Sequence, residues 1–171
     1  YAPGLGYYVR GGAIFGATPA QGDFTTAPEM SALFGAALAN SLRQSLDATA
    51  NDELIEFGAG SGALAAQLLD TLGERVRRYT IVDLSGALRA RQRERLARFG
   101  ARVQWADALP ASIEAVVIGN EVLDAMPVQL LHFDGAQWCE RGVVQGAGGW
   151  AFADRPTALR PPVEAPFAPG T

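Results

Sequence analysis

Between residues 30 and 119 the apolar positions of this chain follow two rhythms in turn. Met30, Leu33, Phe34, Ala37, Leu38, Leu42 and Leu46 recur at the three- and four-residue spacing of a helix with one apolar face. Leu54-Ile-Glu-Phe is a short apolar run, and the glycine-rich turn after it opens a second helical pattern that runs to about Leu72. Strands are then predicted at Tyr79 to Asp83, Arg102 to Trp105 and Ala115 to Gly119, with a helix from Gly86 to Phe99 between the first two. Alternation at this spacing predicts an α/β fold built on a parallel, doubly wound sheet. Ligands of such sheets lie beyond the carboxyl ends of the strands. Polar residues stand at those ends: Glu56 on the first strand, Asp83 on the second, Asp107 after the third, and Asn120 with Glu121 after the fourth.

The remainder reads differently. Only eight residues lie between Gly119 and Val128, too few for the crossover of about a dozen that a parallel neighbour needs. Val128 to Phe133, Ala136 to Val144 and Gly149 to Ala153 are therefore predicted as an inserted antiparallel β-meander, with Asp134-Gly135 as a hairpin turn. From Arg155 prolines predict an extended tail or linker. The expected organisation is residues 1–127 as an amino-terminal segment plus α/β core, 128–154 as the meander and 155–171 as the tail. The parallel sheet is incomplete if it stops at Ala115 to Gly119. A bare apolar edge there predicts either that residues 1–171 belong to a longer chain or that copies associate, a homo-oligomer being the second of these alternatives.

Composition narrows the class. At 171 residues and 49% hydrophobic content the chain suits a soluble globular core, one able to bury about 70% of its unfolded surface. Its net charge of −4 argues against nucleic acid and anionic membrane as partners. No apolar run approaches the roughly 18 residues of a membrane span. Cys139 is the one cysteine, which leaves no disulfide framework and fits a cytoplasmic setting. His132 has no Cys or His at ligand spacing, so no metal site is expected. The arginines of the 86–99 helix flank the Leu88, Gln92, Leu96, Phe99 stripe and read as core-edge residues with their charges in water.

Candidate chemistry concentrates in Glu56-Phe-Gly-Ala-Gly-Ser-Gly62. Glycines at alternate positions permit positive φ and close approach of a ligand, and the following helix presents free amides at its start. Gly58, Gly60 and Ala63 also satisfy the dinucleotide fingerprint, so an NAD(P)-dependent oxidoreductase stays open on the glycines alone. A glycine-rich turn required only for packing is the bland alternative. Asp83 lies 25 residues after Gly58, near the spacing of roughly 20 for an acid that holds ribose hydroxyls, although it also stands where a helix cap would. Thr26 with Glu29 fits a capping box, with Ser31 as a competing cap.

Glu56 set two residues before Gly58 resembles the first motif of Rossmann-like S-adenosylmethionine (SAM) methyltransferases, in which the acid helps order the loop around the methionine end of the cofactor. Taken with Gly22-Asp-Phe-Thr-Thr-Ala-Pro-Glu29, Gly119-Asn-Glu-Val-Leu-Asp-Ala-Met-Pro-Val128 and the Tyr1 to Tyr8 entry segment, the chain resembles the MidA family over nearly its whole length. The resemblance implies a Rossmann-like SAM methyltransferase fold, S-adenosylmethionine as cofactor, and a protein arginine N-methyltransferase whose mitochondrial relative acts on a respiratory complex I subunit. It implies cofactor contacts from Glu56, Gly58, Gly60, Gly62 and Asp83, with Asp107 on the adenine amino group. Glu121, Asp124 and Asn120 would serve the acceptor nitrogen, and Asp23 with Glu29 would close over the site. The setting is cytoplasmic in a bacterium and mitochondrial in a eukaryote. A SAM-binding assembly factor without catalysis is the alternative that the same cofactor residues allow.

Overall fold

The structure is a computed structural model that describes residues 6–8 and 25–170. By its internal contacts the chain divides into two units between Ala125 and Met126. In the first, a short helix α1 (Ala27–Met30) leads into α2 (Ala32–Ala48), β1 (Glu53–Phe57), α3 (Ala63–Leu72), β2 (Arg78–Val82), α4 (Gly86–Leu96), β3 (Val103–Ala106) and β4 (Val116–Gly119). The four strands form one parallel sheet in the order β3-β2-β1-β4. Among the described residues β3 and β4 are its edges.

Alternation along the strands decides which face is core. Leu54, Tyr79, Ile81 and Val103 are buried with Leu42 and Leu46 of α2, Leu64, Leu68, Leu69 and Leu72 of α3, and Leu96 of α4. Glu53, Arg78 and Gln104 stand on the opposite face, where Arg78 pairs with Glu53 at 2.9 Å. Gly35 of α2 faces α3 so closely that a Cβ there would collide with Gln67. Gln67 also receives the Gly35 amide at 3.1 Å and donates to the Pro28 carbonyl at 2.7 Å, which fastens the amino-terminal segment to α3.

The helix predicted from Met30 is instead two helices, because Ser31 breaks the run at an extended φ of −157° and caps α2 through Leu33 N–H at 3.1 Å. Thr26 precedes α1 without a side-chain cap bond, so the competing cap, Ser31, is the one formed. Helix α4 ends at Leu96 and continues as a 3-10 turn through Phe99.

The second unit is a separate antiparallel sheet, β5 (Leu130–Phe133), β6 (Trp138–Gly146) and β7 (Gly149–Pro156), paired in that order. Asp134 closes the first turn by accepting the Ala136 and Gln137 amides, both at 2.8 Å. Arg141 grips Asp154 with two bonds of 2.7 and 2.8 Å, which holds that carboxyl down at about 2. His132 Nδ1 lies 2.8 Å from the same carboxylate. The proline-rich segment folds back on this sheet: Phe167 packs edge-on against Trp138 at 4.9 Å, and Gly170 N–H donates to Phe133 O at 2.8 Å.

Leu68 in α3 is wholly buried in the core cluster that the sheet, α2 and α3 share, so Leu68→Ala is expected to cost about 2 to 5 kcal/mol. Urea unfolding of the variant beside the parent measures it, and a loss under about 1 kcal/mol would mean that the core is not packed as described.

Candidate active site

Where β1, β2 and β4 end, the first unit opens a cleft of about 380 Å³. Gly58, Gly60, Asp83, Glu121 and Asp124 line it, with Tyr8 and Thr26 contributed from the amino-terminal side. A pocket of about 50 Å³ adjoins it through Thr26, Gly58, Gly60 and Glu121, and adds Glu29, Glu56, Ser61 and Asn120. Of the residues expected at the strand ends, the structure thus gathers all but Asp107 around one crevice. Asp23 lies outside the described residues.

The cradle depends on glycine for a backbone reason. Gly58, Gly60 and Gly62 have φ of 58°, 55° and 81°, a region costing other L-residues about 1 to 2 kcal/mol each. A Cβ on Gly58 would also lie 3.3 Å from Val122. The Gly58 amide donates to Val82 O at 3.0 Å, which ties the loop to the end of β2. Gly62 does not line the cleft; it is the N-cap of α3.

Asp83 is 6% exposed and accepts Ser85 N–H at 2.9 Å and Gln92 Nε2–H at 2.8 Å, one on each oxygen. Ser85 is the side-chain cap of α4, at 3.4 Å from Leu88 N. A carboxylate offers about four acceptor positions, so Asp83 retains capacity for two hydroxyls.

Glu56 is 2% exposed, and its Oε2 accepts the Tyr79 hydroxyl at 2.7 Å. Burial pushes the Glu56 carboxyl up to about 7; the Tyr79 bond opposes this and the nearby Asp83 charge adds to it. Burial and the facing carboxylate likewise push the Tyr79 hydroxyl well above its ordinary range. Glu121 holds φ at 54°, one of two non-glycine residues with positive φ among those described. Such backbone costs of order 1 to 3 kcal/mol and gathers at functional sites.

Glu29 has a different partner from the one its spacing suggests. Its carboxylate receives the Ser61 hydroxyl and the Arg95 guanidinium, and Arg95 Nη1 donates to Ser61 Oγ at 2.5 Å. The amino-terminal wall is therefore latched onto the glycine loop. Asp107 pairs with Arg89 at 2.7 Å, is 92% exposed and does not line the cleft. Its place is taken up by a surface ion pair. Arg89 itself is only 13% exposed and donates to Asp83 O and Ala106 O at 2.6 and 2.5 Å, so it is a strut between strand ends and not a charge left in water. Gln92, Tyr79, Ser61, Arg89 and Arg95 are the residues that pattern reading misses. A polar residue between Leu88 and Leu96 in the α4 stripe is a sequence signal for Gln92 alone; no local pattern marks the other four.

A glycine loop after the first strand, an acid at the end of the second and a cleft across the strand ends define an α/β domain of the Rossmann-like, nucleoside-cofactor class. Residues 33–167 match the profile of the family Methyltransf_28, described as S-adenosyl-L-methionine-dependent methyltransferase, and the chain belongs to that family, the MidA group. It is similar to a Burkholderia thailandensis COG1565 superfamily protein crystallised with S-adenosyl-homocysteine, with 53% identity, a TM-score of 0.75, and coverage of 94% of this chain and 44% of that one. A native crystal structure from the same organism gives 52% identity, a TM-score of 0.68, and coverage of 92% and 41%. The mitochondrial protein arginine methyltransferase NDUFAF7 homolog of Caenorhabditis elegans is 30% identical over 81% of this chain and 39% of its own length. The chain thus spans less than half the length of these relatives.

Glu56 makes the first unit sensitive to pH. Below its ordinary value of 4.5 the carboxyl is protonated in both folded and unfolded chains; between 4.5 and about 7 the unfolded chain releases the proton and the fold keeps it. Stability should therefore fall as pH rises through that window, by on the order of 3 kcal/mol in all. Glu56→Gln should flatten this slope, as read by urea unfolding from pH 4.5 to 8; an unchanged slope would mean that another group carries it.

Proposed function

We propose that the protein carrying this chain is a SAM-dependent methyltransferase acting on protein arginine, with the strand-end crevice as its cofactor and acceptor site. The observation that carries the reading is the convergence of the glycine loop, Asp83 and the backbone-strained Glu121 on one cleft. The residues fit such a cofactor. Asp83 keeps free acceptor positions for ribose hydroxyls, Leu88, Val122 and Ala125 give apolar wall for a base, and the pocket with Glu29 and Glu56 suits the cationic amine of a methionine tail.

When bound, S-adenosylmethionine supplies a methyl group activated by the sulfonium. The chain's own part is to bind and orient. A guanidinium stays protonated in proteins and is a poor nucleophile, so Glu121 and Asp124 are assigned to holding its charge and aiming one nitrogen, with Asn120 beside them. Proximity and preorganised charge then carry the rate. The arginine acceptor is supported by the resemblance to MidA and by the name of the nematode relative. A protein substrate, a respiratory subunit among the candidates, belongs to the same reading.

S-Adenosylhomocysteine should raise the melting temperature of the full chain and NADH should not; a shift with NADH alone would overturn the reading. Glu121→Gln keeps shape and removes charge. It should leave cofactor affinity within a few-fold and slow methyl transfer to arginine peptides by on the order of 10² to 10³. Label on lysine peptides would replace the acceptor, and full transfer by the variant would remove Glu121 from the mechanism.

A further inference from the structure

Gln92 lies on α4 at a position whose helical neighbours are Leu88 and Leu96, and it is wholly buried. A primary amide left there without partners would destabilise the fold by its unmet desolvation. Every polar atom of this one is engaged, and each partner sits at a different strand end. Nε2 donates to Gly60 O at 2.9 Å and to Asp83 Oδ2 at 2.8 Å, while Oε1 accepts from Trp105 Nε1 at 2.9 Å. Gly60 is in the loop after β1, Asp83 directly follows β2 and Trp105 is the penultimate residue of β3. The amide has one possible orientation, since only its nitrogen can serve two acceptors and only its oxygen can receive the indole N–H.

We propose that Gln92 is a positioning residue of the cofactor site, holding the Asp83 carboxylate and the Gly60 carbonyl in fixed relation so that Asp83 is aimed at the ribose hydroxyls. This rests on the reading of Asp83 as the ribose acid. The chemistry selects an amide. Leucine would leave the Gly60 carbonyl, one Asp83 oxygen and the Trp105 N–H unpaired. A glutamate would set a second carboxylate against Asp83, and a cation would neutralise it. The arrangement also makes the loop and the acid interdependent: displacing Asp83 releases the amide that holds Gly60.

Calorimetry on the full chain with S-adenosylhomocysteine and an analogue lacking both ribose hydroxyls tests this. The parent should prefer the natural ligand by about tenfold to 150-fold, the scale of a charge-assisted hydrogen bond. Asp83→Ala should erase that preference; if it does not, the ribose reading fails and the proposal falls with it. Gln92→Met, which keeps volume and loses the amide, should cut the preference at least about fivefold, whereas Leu69→Ala, a core variant that also lowers stability, should keep it in full. An undiminished preference in Gln92→Met, beside its loss in Asp83→Ala, would overturn the proposal and leave the ribose reading standing. Should Gln92→Met not fold, Trp105→Phe removes one anchor of the same amide and should cut the preference at least about twofold; full retention there would overturn the proposal as well.

Discussion

A parallel sheet brings several strand ends together, and each end leaves polar backbone and side-chain groups that must be satisfied away from water. In this chain the groups at three of those ends meet in one buried amide, that of Gln92, bonded to Gly60, Asp83 and Trp105. The glycine loop cannot shift without breaking a bond to α4, and Asp83 cannot turn without doing the same. Arg89 repeats the tie one layer out by spanning Asp83 O and Ala106 O. The cleft has a defined shape because its walls are cross-linked by hydrogen bonds whose loss would leave buried donors and acceptors unpaired.

The same logic joins the amino-terminal segment to the core. Helix α1 has four residues and no capping side chain, far below the length at which a helix is stable by itself. It holds its place through Pro28 O on Gln67 and through Glu29 on Ser61 and Arg95. Because Ser61 belongs to the glycine loop, the wall carrying Thr26 and the loop carrying Gly60 are mechanically one object. Glu56 lines the same small pocket as a buried acid that accepts the Tyr79 hydroxyl, its carboxyl pushed up by burial.

Much of this was legible beforehand. The alternation of strand and helix, the parallel sheet and the antiparallel meander follow from periodicity and turn residues, since burial of a strand or helix face imposes its own repeat. Glu56, Asp83 and Glu121 could be placed at strand ends for the same reason. The partners of Glu29 were not legible: its spacing from Thr26 matches a capping box, and only the nearness of Ser61 and Arg95, 32 and 66 residues away, supplies the better ones. Asp107 shows the converse, a strand-end acid drawn to Arg89 across the surface. The proline-rich segment read as an extended tail or linker, and the sequence carried no sign that Phe167 packs on Trp138.

By itself, then, the sequence determined the order of elements, the glycine turn and the family, because each is written in neighbouring residues whose geometry is local. Tertiary structure alone decided which polar side chain answers which. Gln92 is indistinguishable from a misplaced polar residue until β1, β2 and β3 are side by side, for its partners lie 32, 9 and 13 residues away. Hydrogen bonds act over about 3 Å, and sequence spacing says nothing of which distant groups the packed core will bring within that reach.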